Sequence, residues 1–385
     1  MEQKEEFILL WKCRSYSLTA LCEMFDISRP TGYKYVKRYE RYGIPGLNEL
    51  PRSPRKIANK TPGRIEEAII ELRKRHPRWG GPKLLVLLQD KYPAEELPKL
   101  STVNLILKRN ALVASRRTRR RVEPVHPIFD PKRPNEVWSA DFKGKFRLGN
   151  RAYCYPLTVA DSYSRYVFCA KGMYAPNSTN TKQAFIEVFR RYGLPEQIHT
   201  DNGAPFASML ALGRLSRLAV WFMELGIKPV FSDPAHPEQN GRHERMHREL
   251  KGEATRPAGR SLQRQQMKMN GFVKEYNELR PHEALGMRTP AAVHRVSERA
   301  YPETIEEWQY PKEYISRYVT HTGAIRAGHA DWAFITGALM GKTIGLEPIG
   351  NRIYRIYFRQ FFLGYLDEAS LKAYDIMHYE YEYKV

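Results

Sequence analysis

The chain has 385 residues, with 63 Lys and Arg against 42 Asp and Glu for a net charge of +21, and 42% of its residues are hydrophobic. That length asks for more than one core, and the apolar share argues for folded domains over a disordered basic tail. No run approaches the ~18 apolar residues of a membrane span, and Met1 to Glu6 is acidic where a signal peptide would be basic. A cytoplasmic or nucleoid location with no membrane contact is therefore expected, and the charge calls for a polyanionic partner.

The surplus is uneven along the chain. Residues 1–122 hold 27 basic and 13 acidic side chains, residues 123–299 hold 27 and 18, and residues 300–385 hold 9 and 11. Any polyanion should be gripped by the first third and then the middle, and least by the last segment. Cys13, Cys22, Cys154 and Cys169 are scattered without a C-x-x-C pair and read as reduced core thiols.

Leu18, Leu21, Cys22 and Phe25 recur at helical spacing, Asp26-Ile27 breaks the pattern, and Ser28 with Pro30 opens a second helix that runs to Tyr42 and stops at Gly43. This is a helix-turn-helix pattern over residues 1–46. Its second helix displays Arg29, Thr31, Lys34 and Lys37, the donors and cations needed to reach base edges and phosphates in a major groove. Residues 47–63 read as a basic, Pro-rich linker with Arg52, Arg55 and Lys56 between its prolines, either a groove-following arm or a spacer. A second helical unit spans residues 64–122. It has helices from Arg64 to His76, from Gly80-Gly81-Pro82 to Lys91, and a third capped at Ser101-Thr102. It reads as a further helix-turn-helix unit or as a dimerisation or spacer bundle.

From Pro134 the period shortens to that of strands. Trp138, Ala140 and Phe142 should pack, leaving Asp141 on the opposite face at mid-strand. Strands follow at 153–160 and 165–173, then a helix at 179–192, and a short strand, Gln197 to Thr200, that delivers Asp201 into an Asn202-Gly203 turn. A helix around 218–225 and a strand at 227–231 precede a helix opened by Asn240-Gly241. On it Glu244, Arg248 and Lys251 share one face. Three carboxylates meeting at one sheet edge would repel unless hard divalent cations sat among them, and Mg²⁺ or Mn²⁺ suits such oxygen ligands. Residues 300–385 read as short strands between glycine turns, a small β-barrel domain.

Three motifs together resemble the integrase catalytic core of bacterial insertion-sequence transposases and retroviral integrases. They are Trp138-Ser139-Ala140-Asp141, His199-Thr200-Asp201-Asn202-Gly203-x-x-Phe206 and Pro234-x-x-Pro237-x-x-Asn240-Gly241-x-x-Glu244. Tyr276-Asn277-x-x-Arg280-Pro281-His282 and Leu285-Gly286-x-x-Thr289-Pro290 look like the tail behind that core in bacterial transposases, and Trp79-Gly80 with Lys83 looks like their upstream region. The resemblance implies a multidomain chain with N-terminal all-α helix-turn-helix units, an α/β RNase H-like core over 123–299 and a C-terminal all-β SH3-like barrel. It implies Asp141, Asp201 and Glu244 as catalytic and metal-binding residues around two Mg²⁺ or Mn²⁺ ions. It also implies metal-dependent 3′-end cleavage and strand transfer into target DNA, Arg248 and Lys251 on the DNA end, and a homodimer or tetramer assembled on DNA. Two departures are visible. Between Asp201 and Glu244 lie 42 residues, more than is usual in that family, so an insertion is expected near Ser208 to Arg217, with Glu249 or Glu238 as alternatives to Glu244. The first histidine is His76, so the zinc-binding N-terminal module of retroviral integrases is not expected. A DNA-binding regulator with a silent core and a general RNase H-like nuclease are the competing readings.

Overall fold

A computed structural model describes residues 2–49, 60–93, 97–113, 130–209, 211–233, 241–327 and 331–375. The chain divides into two units, residues 1–63 and 64–385. Among the described residues no helix is long and apolar enough to cross a membrane.

The first unit holds α1 (Glu2–Lys12), α2 (Leu18–Met24) and α3 (Arg29–Tyr42). Ser17 caps α2 and Ser28 caps α3, each side-chain oxygen accepting from a main-chain N–H of the first turn. Phe7 and Ile8 of α1 close the core over Leu21, Cys22 and Val36. Gly32 is required here, because a Cβ at that position would stand 2.4 Å from Cys22 Sγ. Leu47, expected as the first residue of the linker, belongs to this core. Pro45 sits in the first turn of a 3₁₀ turn, Ile44–Leu47. Cys13 is exposed, contrary to its expected core place.

The second unit opens with α4 (Gly63–Arg75), α5 (Gly81–Lys91) and α6 (Leu100–Arg109), which bury Ile65, Ile69, Trp79, Leu84, Leu88 and Val103 together. Ser101 does not cap α6. Lys99 holds that position without a side-chain bond, and Ser101 lies inside the helix.

Next comes a six-stranded sheet: β1 (Val137–Phe142), β2 (Phe146–Arg147), β3 (Tyr153–Asp161), β4 (Val167–Met173), β5 (Gln197–Thr200) and β6 (Lys228–Phe231). The order β4–β3–β1–β5–β6 is antiparallel on the hairpin side and parallel from β1 onward, with β2 paired to the start of β3. This is the RNase H-like arrangement. Helices α7 (Ser178–Tyr192) and α8 (Arg217–Glu224) cover one face through Phe185, Phe189, Trp221 and Phe222, packed on Trp138. Helices α9 (Gly241–Glu253) and α10 (Leu262–Glu278) cover the other through Met246, Leu250, Met269 and Phe272. With helices on both faces, β1 is not the half-exposed strand its alternation suggested: Val137 and Ser139 are buried as well as Trp138 and Ala140. Asn277 of α10 substitutes for a missing neighbour strand, accepting from Val167 N at 2.9 Å and donating to Val167 O at 2.8 Å.

A four-residue helix, α11 (Pro290–Val293), leads toward the C-terminal sheet, β7 (Ile315–Tyr318), β8 (Ala324–Ala327), β9 (Asp331–Phe334), β10 (Thr343–Gly350), β11 (Ile353–Phe358), β12 (Phe361–Asp367) and β13 (Lys372–Tyr374). Its seven strands run in the order β7–β10–β11–β12–β13–β9–β8 as a barrel-like sheet. The core of this sheet, Ile325, Ala333, Ile344, Ile356 and Leu363 among others, takes in Ala219, Val220 and Met223 of α8. Helix α8 is buried on both sides, which explains its unbroken apolar run.

Candidate active site

Strand register brings the first two carboxylates together. β1 and β5 run parallel with Ala140 opposite Thr200, so the next residues, Asp141 and Asp201, emerge side by side at one edge of the sheet. Asp201 then enters the turn, accepting from Gly203 N at 3.2 Å. A Cβ on Gly203 would meet the Asp201 carboxylate at 3.1 Å, so glycine leaves that carboxylate room. Asn202 donates to the Ser232 carbonyl at 2.6 Å, and the Arg214 guanidinium donates to Asn202 Oδ1 and to Ser232 O, both at 3.3 Å. These bonds tie the turn after β5 to the end of β6.

The third carboxylate arrives on α9. Its buried face carries His243, Met246, His247 and Leu250, whereas Glu244, Arg248 and Lys251 lie exposed together. Burial lifts the Asp141 carboxyl to about 7, and the charges of Asp201 and, more weakly, Glu244 add to the rise against Phe142 N–H and Lys143. Burial also raises the Asp201 carboxyl. The three carboxylates therefore share one electrostatic neighbourhood, in which burial and mutual repulsion outweigh the charge of Lys143 at Asp141. Among the described residues, no three His, Cys, Asp or Glu side chains yet converge closely enough to enclose an ion.

The alternative to Glu244 is committed elsewhere. Glu249 takes Arg280 at 2.9 Å and Arg78 at 3.3 Å. Burial pulls its carboxyl up, but those guanidiniums outweigh it and hold it below the ordinary value. Glu238 lies outside the described residues, as do Arg52, Arg55 and Lys56. In the first unit Arg29, Lys34 and Lys37 are exposed on α3, while the Thr31 hydroxyl is engaged with Ser28 Oγ at 2.8 Å as part of the cap.

Several contributors escaped the sequence reading. Thr158, opposite Asp141 in the β1–β3 ladder, contacts both His243 and His247. Arg280, almost wholly buried, forks between Glu249 and Glu253 and lies over the rings of Trp79 and Tyr276. Around it Arg78 donates to the Arg248 carbonyl at 3.4 Å, and His76 Nδ1 lies 2.8 Å from Glu275 Oε1. The Trp79 region and the Arg280 region are thus one interlock, fastening α4 and α5 to α9 and α10. The histidine spacing, i and i+4 opposite Glu244, was visible in the sequence. The long-range pairing of Arg280 was not.

Residues 131–237 match an integrase core domain family, and residues 225–290 match a second integrase core domain model. The chain carries an integrase core. Upstream of it, residues 3–55 match a helix-turn-helix domain and residues 31–107 a homeodomain-like domain. An uncharacterized protein of insertion element IS476 from Xanthomonas euvesicatoria is 25% identical over 231 residues, 59% of this chain and 63% of the relative. One from insertion element IS407 of Burkholderia multivorans is 28% identical over 209 residues, 52% of this chain and 72% of the relative. This chain therefore spans a little under two thirds of the first relative. The integrase catalytic core of HTLV-2, solved with magnesium, is 19% identical with a TM-score of 0.35, covering 43% of this chain and all of that one. The first integrase core match spans the end of the sheet where Asp141 and Asp201 meet.

Proposed function

We propose that the chain is a DNA transposase that cuts the 3′ ends of its element and transfers them into target DNA by in-line phosphoryl transfer. The observation that carries this reading is the parallel register of β1 and β5, which sets Asp141 beside Asp201 under the helix of Glu244. Asp141, Asp201 and Glu244 would hold Mg²⁺ or Mn²⁺, two ions in this reading. When bound, such ions activate water and neutralise charge at the attacking and leaving oxygens. The donor set fits: all ligands are oxygens, and the Asp141 carboxyl bears a cluster of like charge that a divalent cation would relieve.

The chain's own residues supply the rest. Arg248 and Lys251 stand on the exposed face of α9 one and two turns from Glu244, placed to take phosphates of the DNA end. The exposed Arg29, Lys34 and Lys37 of α3 would read and grip the terminal sequence, with residues 47–63 and 64–122 as linker and second DNA-binding unit. Joining two ends in concert requires at least a dimer on DNA. A cytoplasmic, nucleoid-associated protein is the setting this chemistry implies. The test is Asp141→Asn, which should abolish Mg²⁺- or Mn²⁺-dependent nicking and strand transfer on oligonucleotides carrying the element ends, with DNA binding retained. Wild-type protein that binds those ends but never nicks them would favour the regulator instead.

A further inference from the structure

We propose that the Thr158 hydroxyl, His243 and His247 form a buried latch that positions the Asp141 end of β1 and the Glu244 turn of α9 for one another. The latch is a set of positioning residues behind the site. Its role in metal binding rests on the function proposed above, whereas its mechanical role does not.

The geometry starts from register. Thr158 lies directly opposite Asp141 in the β1–β3 ladder and is fully buried. Its hydroxyl stands 3.1 Å from the Asp141 carbonyl, 2.7 Å from His243 Nε2 and 2.6 Å from His247 Nε2. A threonine hydroxyl has one hydrogen and two lone pairs. The carbonyl can only accept, so all three contacts are hydrogen bonds in one arrangement alone: the hydroxyl donates to Asp141 O and accepts an Nε2–H from each imidazole. That arrangement assigns both tautomers. It also leaves His247 Nδ1 with a lone pair facing Asp141 Oδ2 at 3.6 Å. The contact is not an ion pair, because burial, with His243 and Lys143 nearby, strongly disfavours a charge on His247. His243 is likewise lowered, to about 3, by burial and by His199. The latch therefore holds Asp141 through its main chain, by the Thr158 hydroxyl.

Placement argues for purpose. His243 and His247 lie one turn apart on the buried face of α9 and bracket Glu244, which leaves on the exposed face. Their rings meet edge to face at 4.6 Å. The same face also packs through Met246 and Leu250. On this face the turn nearest the carboxylates uses two buried histidines, and their bonds to Thr158 fix a single register where an apolar contact could slide. Partners standing behind ligands in this way typically change metal affinity by about 10- to 100-fold when removed.

The experiment uses full-length protein with Thr158→Val, which keeps the shape and loses the hydroxyl, and Thr158→Ser, which keeps the hydroxyl. Hydrogen–deuterium exchange in metal-free protein reads the latch. Thr158→Val should speed exchange in the first turns of α9 roughly tenfold, while Thr158→Ser stays near wild type. Free Mn²⁺ counted by electron paramagnetic resonance reads the site, and Thr158→Val should weaken binding by about 10- to 100-fold. If Thr158→Val does not fold, His247→Gln, which keeps an N–H donor, should be milder in both readouts than His247→Leu. Unchanged exchange and Mn²⁺ affinity in Thr158→Val, equal damage by valine and serine, or equal damage by Gln and Leu would each overturn the latch. Faster α9 exchange in a protein whose wild type binds no Mn²⁺ would support the latch and refute the metal-dependent reading.

Discussion

Asp141→Asn, the variant that tests catalysis, also has a thermodynamic signature. In the folded chain the Asp141 carboxyl sits at about 7, against an ordinary 3.8, because of burial first and the neighbouring Asp201 and Glu244 charges second. Between those two pH values only the folded chain carries the proton, so stability falls as pH rises through this window and the full penalty persists above it. The whole shift would correspond to about 4 kcal/mol at 1.36 kcal/mol per pH unit. With the side chain 17% exposed and its neighbours partly screened, about half of that, ~2 kcal/mol, is the expected loss at pH 8. Asparagine has no charge to desolvate. In chelator, Asp141→Asn should therefore melt about 5 °C above wild type at pH 8, given roughly 2–4 °C per kcal/mol, and the gap should shrink steadily as pH falls and close toward the ordinary carboxyl value of 3.8. Buried His199 and His243 titrate in the opposite sense, but neither shift is caused by Asp141, so they largely cancel in the difference. Mn²⁺ should raise the wild-type melting temperature and narrow the gap. Differential scanning calorimetry at three pH values, with and without Mn²⁺, measures all of this. A variant that melts at or below wild type at pH 8 in chelator, or a gap that does not change with pH, would refute the reasoning.

Replacing Arg280 by Met leaves Glu249 and Glu253 without the guanidinium that bridges them. The expected loss is about 3 kcal/mol in urea unfolding, with Arg280→Lys intermediate because an ammonium cannot fork. Lys251→Ala and Arg248→Ala should each weaken binding of end oligonucleotides and cut the slope of log K against log salt by about one, read by fluorescence anisotropy. An unchanged slope would remove those side chains from the phosphate contacts. On α3, Lys34→Ala with Lys37→Ala should reduce binding to the element ends in a gel-shift titration without moving the melting temperature, since both are exposed and bear no part of the first unit's core. A fall in melting temperature with unaltered binding would contradict their assigned role.

Much of the architecture was readable because local signals agreed with the tertiary outcome. Ser28, Pro30 and Gly43 mark α3 by the capping chemistry of its two ends. The break after Thr200 places Asp201 at a strand end, whereas Asp141, read from its alternation as mid-strand, lies one residue before the end of β1, and sequence could not show that parallel register makes the two neighbours. What escaped was set by packing rather than by period. β1 loses its polar face because Ser139 lies beside His243 and Met246 of α9 and Tyr276 of α10. β12 carries Phe361-Phe362-Leu363 without alternation, and its Gly364 takes a positive φ beside the Tyr374 carbonyl, where a Cβ would come within 2.2 Å. α1 mixes acidic and basic residues around only two buried ones, a weak stripe that is completed by α2 and α3. Arg280 and His76 find their partners across long stretches of sequence, for which no local pattern exists.

The expected insertion between Asp201 and Glu244 connects two of these facts. Its Leu212 and Leu215 join the core of the C-terminal sheet, while Arg214, between them, reaches back to the Asn202 side chain and the Ser232 carbonyl. Leu215 is followed by α8, whose Ala219, Val220 and Met223 enter the same C-terminal core. The segment after Asp201 is therefore anchored through the barrel-like sheet. This gives the last domain a task that needs no phosphate contact and suits its 9 basic against 11 acidic residues. The apolar seam with α8 and the insertion supplies that anchorage, since hydrophobic contact is indifferent to net charge. The chain's +21 is then unevenly shared: the positive surplus lies in the segments proposed to hold DNA, and the slightly acidic end lies in the segment that packs against the loop of the second aspartate.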